Sequence, residues 1–380
     1  MNPLEHELNY PLGDALPALG STLEIAPGVR WVRMGLPFAL DHINLWLLRD
    51  EVDGQAGWTI VDCGITSDAT RDAWEQVFAN ELAGLPVLRV IVTHMHPDHI
   101  GLAHWLTERW SGPAAEPPQG GPSPLGGQRS GAAASVGARE CRMWISATDY
   151  NAARLASSAT TGFGGASAAA FMASHGLTDP ASIEKIKART NYYASMVPKV
   201  PASFRRLLNA DVIRIGGHDW TCHVGYGHAP EHMSLHCASL GLLISGDMVL
   251  PRISTNVMVI DLEPEANPLP LYLDSLTRLR VLPEDTLVLP SHGKPFRGLH
   301  QRIAQLHAHH DERYAEVMDA CAEAPQSGAD ILRVMFRRPL DLHQTTFAIG
   351  ESIAHLNALW LAGKLRRETG ADGVMRFSVA

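Results

Sequence analysis

Nine residues constrain this chain more than any other stretch: Thr93-His94-Met95-His96-Pro97-Asp98-His99-Ile100-Gly101. Three imidazoles and one carboxylate fall between His94 and His99, a donor density suited to two metal ions in one place. The run Leu88-Arg89-Val90-Ile91-Val92 just before it is apolar and β-branched, which predicts a buried strand. The donors then sit on a loop leaving a strand end, where a rigid scaffold holds them beside an open cleft. Asp98 and His99 are adjacent, so their side chains diverge and can serve a different ion from that of His94 and His96. Further donors must come from distant segments. Three follow strand-like runs beside glycine: His228 in Gly-Tyr-Gly-His-Ala-Pro-Glu-His, Asp247 in Leu-Leu-Ile-Ser-Gly-Asp, and His292 in Leu-Val-Leu-Pro-Ser-His-Gly-Lys-Pro. His232 competes with His228 for the first of these places. A carboxylate such as Asp247 can bridge two cations and lower their mutual repulsion. Imidazole suits zinc, iron or nickel, and the carboxylates leave manganese open.

Composition fits a globular enzyme. Of 380 residues, 46% are apolar and 19% charged, enough for a large core plus a smaller unit. No run of about 18 apolar residues predicts a membrane span, and the first residues lack the basic and apolar regions of a signal peptide. Five scattered cysteines without a Cys-x-x-Cys pair read as buried thiols in a reducing compartment, so a cytoplasmic location is expected. The net charge of −9 argues against a broad nucleic-acid or anionic-membrane surface.

The pattern His94-x-His96-x-Asp98-His99, with His228, Asp247 and His292, resembles the metallo-β-lactamase superfamily with both metal sites complete. Ile60-Val61-Asp62-Cys63-Gly64 is similar to that family's early Asp-x-Gly motif, and the likeness runs from about Val29 to Pro295. The resemblance implies an α/β fold, an αββα sandwich with the metals at one rim of two sheets. It implies that His94, His96 and His228 hold one metal, that Asp98, His99 and His292 hold the other, and that Asp247 bridges them. Asp62 would orient the histidine loop. The implied cofactors are two divalent ions per chain, zinc first, with iron or manganese as alternatives. His99 and Asp247 look like the glyoxalase II, lactonase and nuclease branches; true β-lactamases of the fold commonly place Cys or Ser where Asp247 stands. Flavodiiron relatives carry Glu where this chain has His96, and persulfide dioxygenases use a single iron. The implied reaction is hydrolysis by a metal-bridging hydroxide, with Asp98 positioning it. A small acyl substrate, a thioester of the hydroxyacylglutathione or acyl-CoA kind, is the first expectation. A single-strand endoribonuclease, a lactonase and, more remotely, a non-enzymatic metal-binding or sensor protein are the alternatives.

The chain divides into a loosely structured lead-in (1–22), a catalytic domain (23–298) and a C-terminal module (299–380). Strand signals fall at 30–34, 43–48, 58–62, 88–93, 143–146, 212–215, 221–224 and 286–289, with a hairpin over 234–245. Helices are predicted over 68–82, capped by Ser67, and over 99–110. Residues 111–140 hold seven Gly and five Pro and read as a disordered surface insertion. Residues 149–208 read as a helical insert that shapes the substrate pocket. Within it, Tyr192 and Tyr193 are candidate substrate contacts, as are His42 on the loop 37–44 and Lys294 beside His292. Beyond His292, helices are predicted over 299–324, 327–337 and 346–361, the last interrupted by Gly350, and then a short strand. Glu351-Ser352-Ile353-Ala354-His355-Leu356-Asn357 resembles the winged-helix region of a subgroup containing a mitochondrial endoribonuclease and polyketide-pathway thioesterases. The module carries nine Lys and Arg against ten Asp and Glu, a net of −1, so nucleic acid is not expected as a partner. Packing or homodimerisation is the expected use.

Overall fold

The computed structural model describes residues 2–112, 140–160 and 164–380. Nearly all of the Gly/Pro-rich insertion lies outside the described residues. A seven-stranded sheet runs in the order β1 (Leu23–Ala26), β2 (Val29–Gly35), β3 (His42–Val52), β4 (Gln55–Val61), β5 (Val87–Ile91), β6 (Arg142–Ile145), β7 (Phe204–Arg206). Its first four strands are antiparallel and the pairs from β4 to β7 are parallel. The second sheet has the order β12-β11-β10-β9-β8: β8 (Val212–Ile215), β9 (His218–Gly225), β10 (His232–Cys237), β11 (Leu242–Gly246) and β12 (Leu287–Pro290). There only β11 and β12 are parallel.

Side-chain alternation along the strands explains the layering. Trp31, Trp46, Val61 and Ile91 of the first sheet meet Trp220, Leu235, Ile244 and Leu289 of the second in one core. Their neighbours Val32, Leu45, Leu47 and Val90 point the other way, onto α1 (Asp68–Asn80), α2 (Pro97–Ile100), α3 (Ala103–Trp110) and α4 (Ala147–Ser158). Leu243 and Val288, one position out of phase with Ile244 and Leu289, pack on the far helices of the second sheet. Both faces of each sheet are thus buried, and each fully covered Leu or Ile contributes about 1.5–3 kcal/mol. Ser67 caps α1 by accepting the Thr70 N–H, as its sequence position predicts.

The insert between β6 and β7 continues with α5 (Gly165–Ser174), α6 (Pro180–Lys187) and α7 (Tyr192–Met196). After α8 (Pro268–Leu279) come α9 (Leu299–Glu323), α10 (Gly328–Met335) and α11 (Leu342–Leu361). An antiparallel hairpin, β13 (Leu365–Thr369) and β14 (Met375–Val379), closes the chain. Among the described residues no helix is long and apolar enough to cross a membrane.

Three expectations are corrected. The first residues are not loose: Asn2 Nδ2 donates to Pro251 O (3.1 Å) and Gln305 Oε1 (2.9 Å), Asn9 bridges Arg297, and Leu8 is buried. Gly350 does not interrupt α11. A Cβ there would lie 2.8 Å from Met258 Cε and 3.1 Å from Val259 O, so glycine is what lets the loop dock on the helix. The predicted helix over 99–110 is two helices, α2 and α3, broken at Gly101 and Leu102. Gly101 packs against Gly64 and Thr66 too closely for any Cβ.

Candidate metal centre

Every predicted donor leaves the carboxyl end of a strand. Asp62 follows β4, His94 to His99 follow β5, His228 follows β9, Asp247 follows β11 and His292 follows β12. The structure brings the seven predicted ligands together. His94 Nε2, His96 Nδ1 and His228 Nε2 form a triangle with edges of 2.9, 3.1 and 3.2 Å. Asp247 Oδ2 lies 3.3 Å from His228 Nε2, while its Oδ1 lies 3.5 Å from both His99 Nε2 and His292 Nε2. Asp98 Oδ2 lies 3.4 Å from His292 Nε2 and 3.7 Å from His99 Nε2. Two donor sets result, one of three nitrogens and one of Asp98, His99 and His292, with one oxygen of Asp247 turned to each. Ligands about 2.0–2.1 Å from a tetrahedral ion stand roughly 3.3 Å apart, the spacing seen here. His99 Nε2 and Asp247 Oδ1 are buried with no hydrogen-bond partner. Such orphans are costly unless a cation takes their lone pairs, so the donors fit a pair of divalent ions.

The outer ring nitrogens explain why the inner ones face the centre as bases. Asp62 Oδ2 accepts from His99 Nδ1 (2.8 Å), the Asn256 carbonyl from His228 Nδ1 (2.7 Å) and the His42 carbonyl from His292 Nδ1 (2.7 Å). Thr93 Oγ1 donates to Asp62 and accepts from His94 Nδ1 (3.0 Å). These partners fix tautomer and ring orientation. Asp62 sits in the left-handed region, φ 62°, and also accepts the Thr93 N–H at 2.8 Å. A non-glycine residue held there marks a place where the fold accepts strain for geometry.

Charge divides the two sets. Burial, helped by His228, lowers His96 to about 3, and burial with the surrounding imidazoles holds His94 well below its ordinary range. Those two imidazoles are neutral. Burial opposes charge at the second set too, yet Asp247 and Asp98 lift His292 to about 10, and Asp62, Asp98 and Asp247 raise His99. Against the pull of burial, His99 and His292 hold Asp98 down at about 2. The carboxylates of the second set draw positive charge, which a bound cation would supply in place of the imidazole protons.

His232 is not among the ligands: its Nε2 accepts the Asp247 N–H at 3.1 Å, behind the centre. The four candidate substrate contacts fall in different places. His42 has both ring nitrogens engaged, with Asp41 (2.6 Å) and the Gly293 N–H (2.8 Å). Tyr193 is buried, its hydroxyl donating to the Met95 carbonyl between His94 and His96. Both therefore brace the ligand loops. Lys294 donates its ammonium to Gly13 O (2.9 Å) and Asp14 (2.7 Å) of the N-terminal segment. Tyr192 is half-buried, beside His343 at 3.0 Å.

Sequence reasoning missed three positioning residues. Asp149, fully buried, accepts the Met95 N–H (2.8 Å) with one oxygen and the Glu231 N–H (2.6 Å) with the other, tying the loops of His96 and His228 together. Burial raises it to about 6 despite these bonds. Asn44 Nδ2 donates to Pro290 O and Gly293 O and so holds the His292 loop. Glu351 of α11, pushed up to about 7 by burial, accepts from Asn256 Nδ2 (3.4 Å), the residue whose carbonyl orients His228. Asn357, two turns on, donates to Pro264 O and Ala266 O. The Glu351–Asn357 phrase therefore clamps the loop 251–267 to the C-terminal module.

Comparison with known proteins agrees with this geometry. Residues 314–380 match the model of the metallo-beta-lactamase-like C-terminal domain. The probable metallo-hydrolase YqjP of Bacillus subtilis is 23% identical over 86% of this chain and 91% of its own length. A beta-lactamase domain protein from Burkholderia ambifaria has a crystal structure that covers all of both chains at 56% identity and a TM-score of 0.88. A metallo-beta-lactamase family protein from Thermus thermophilus shares the fold, with a TM-score of 0.68 at 22% identity over 94% of this chain and all of that one. Residues 39–292, which carry every one of the seven donors, match the family model itself, and this chain belongs to the metallo-β-lactamase superfamily.

Proposed function

We propose that this chain is a hydrolase that uses two divalent metal ions on a small acyl substrate, with a thioester as the first choice. The observation that carries the reading is the convergence of seven donors into two sets joined through Asp247. When bound, the ions supply an activated water and a Lewis acid for the carbonyl oxygen. The chain's own residues do the rest. Asp247 keeps two cation sites close by placing negative charge between them. Asp62 and the carbonyls of Asn256 and His42 hold the imidazoles in the ligating tautomer. Asp98 has the more exposed side chain of the two ligating carboxylates, 18% against 10% for Asp247, and is placed to position the attacking water. YqjP, named as a probable metallo-hydrolase, supports the reaction class.

The alternative substrate, single-stranded RNA, needs free cations along a groove. In the C-terminal module Arg333, Arg337, Arg366, Arg367 and Arg376 each face a carboxylate, Asp330, Glu316, Glu368, Glu265 and Asp372 respectively. A surface on which five of the cations already face carboxylates favours a small substrate. Elemental analysis of the pure protein, with a panel of acyl-thioesters, lactones, phosphodiesters and RNA, tests the proposal. Close to two metal equivalents and metal-dependent thioester turnover are expected. RNA cleavage abolished by Asp98→Ala, with no acyl substrate turned over, would reverse the choice.

A further inference from the structure

We infer that Arg33 anchors a carboxylate-binding site in the cleft between the N-terminal segment and the loop that carries His292. A cavity of about 430 Å³ lies there, and Arg33 of β2 lines it. His42 and Gly293 line it too, and the Gly293 N–H donates to His42 Nε2 (2.8 Å) one residue beyond the donor His292. Strand register puts Arg33 at the rim that holds the donors. Arg33 pairs with Asn44 across β2 and β3, and Trp46 pairs in turn with Val61, the residue before Asp62. From β2 to β4 is two strand spacings, about 10 Å. Opposed residues on neighbouring strands share a face. Arg33 therefore lies on the side of Asn44, whose amide holds Pro290 and Gly293. Trp31, in phase with Arg33, packs against the second sheet, so this is the inner face.

Charge in the cavity does not balance. Three cations line it, Arg33, Arg252 and Lys294, against two carboxylates, Glu5 and Asp14. Two of the cations are matched: Arg252 Nε lies 3.2 Å from Glu5, and Lys294 Nζ lies 2.7 Å from Asp14. The half-buried Arg33 side chain makes no hydrogen bond and no ion pair among the described residues. Burial pulls its pKa below the ordinary guanidinium value, and the charge opposing that pull is Asp41. The Asp41 carboxylate is 81% exposed and is already bonded to His42 Nδ1 at 2.6 Å. One positive charge is thus left over, on a planar fork of donors that has nothing to donate to. A carboxylate matches that fork in charge and in shape, accepting two parallel N–H bonds. A phosphate monoester carries about −1.5 to −2 at pH 7 and would need a second free cation.

The site stands on the cavity and its charge, and the proposed acyl hydrolysis enters only through one set of probes. In calorimetric titration of the metal-replete protein, butyrate should bind and butyramide should not. Arg33→Met keeps the packed stem and removes the charge. It should weaken butyrate roughly 10–100-fold, the worth of hydrogen bonds to a charged group, and Arg33→Lys should recover part of the loss. Turnover then separates two sources of the carboxylate. One carried by the substrate should give a succinyl thioester a higher kcat/KM than its uncharged succinamoyl counterpart. Arg33→Met should erase that preference and leave the uncharged thioester within about twofold. A carboxylate from a separate ligand should instead bind through Arg33 without competing with a butyryl thioester. No thioester turnover, with Arg33-dependent butyrate binding intact, would remove the proposed reaction and leave the carboxylate site standing. Absence of butyrate binding would overturn the inference. So would butyrate affinity that Arg33→Met leaves unchanged while melting temperatures confirm folding, since the anion would then sit on the metal ions.

Discussion

Asp149→Asn probes how two ligand loops are held in register. In the wild type its two oxygens take the N–H groups of Met95 and Glu231. Leaving one buried N–H unpaired costs about 1–3 kcal/mol. The asparagine oxygen can serve one of the two, and its amide nitrogen then confronts the other, donor to donor. Opposing this, burial has raised the carboxyl from 3.8 to about 6, so neutralising it at pH 7 returns about 3 kcal/mol. The terms nearly cancel, and the global stability of the variant should stay within about 2 kcal/mol of the wild type. Geometry does not cancel: either the His96 loop or the His228 loop loses its tether. Metal affinity or turnover should fall roughly 10–100-fold, as lost supports of ligands commonly cause. Denaturant unfolding and competitive metal titration measure the two quantities separately. The folded pKa lies above the unfolded one, so the native state holds the extra proton between about 3.8 and 6. The wild type should therefore gain stability relative to the variant as pH falls through that window. Unchanged metal affinity and turnover in Asp149→Asn would refute the tether.

Glu351→Gln should remove a pH dependence of the same sign. The carboxyl is raised from 4.5 to about 7, so wild-type stability should decline relative to the variant as pH rises from about 4.5 to about 7, by about 3 kcal/mol in full; thermal melts across that range measure it. Chelation should lower the melting temperature and zinc should restore it, because the paired donor sets exist only in the folded chain. Asp247→Ala should bind at most one metal equivalent by elemental analysis, since that side chain supplies an oxygen to each set.

The ligands were legible because their chemistry is local: donors beside glycine, just after apolar strands. The long strands were legible for the same reason, their period-two burial being written in adjacent residues. The supporting contacts were not. Asn44, Asn256 and Tyr193 act through backbone groups up to 249 positions away, and no spacing in the chain announces such a bond. Asp149 left a trace, Ser146-x-x-Asp149 after β6, which is a helix N-terminus signature that also describes ordinary caps. The helix α8 could have been read from Asn267-Pro268 and its apolar stripe. The three-residue β7 and four-residue β1 are too short for periodicity to reveal.

The clamp between α11 and the loop 251–267 sets what can be exchanged among relatives. Helix and loop touch through a glycine with no room for a methyl group, a buried acid and an asparagine that spans two carbonyls. None of the three tolerates a partner of different shape. A chimera cut at residue 298, with a C-terminal module from a distant homologue, would meet a foreign helix face at the backbone that orients His228. The transferable unit is therefore the module together with its loop. In evolution the two segments, about ninety residues apart in the chain, should change as one character.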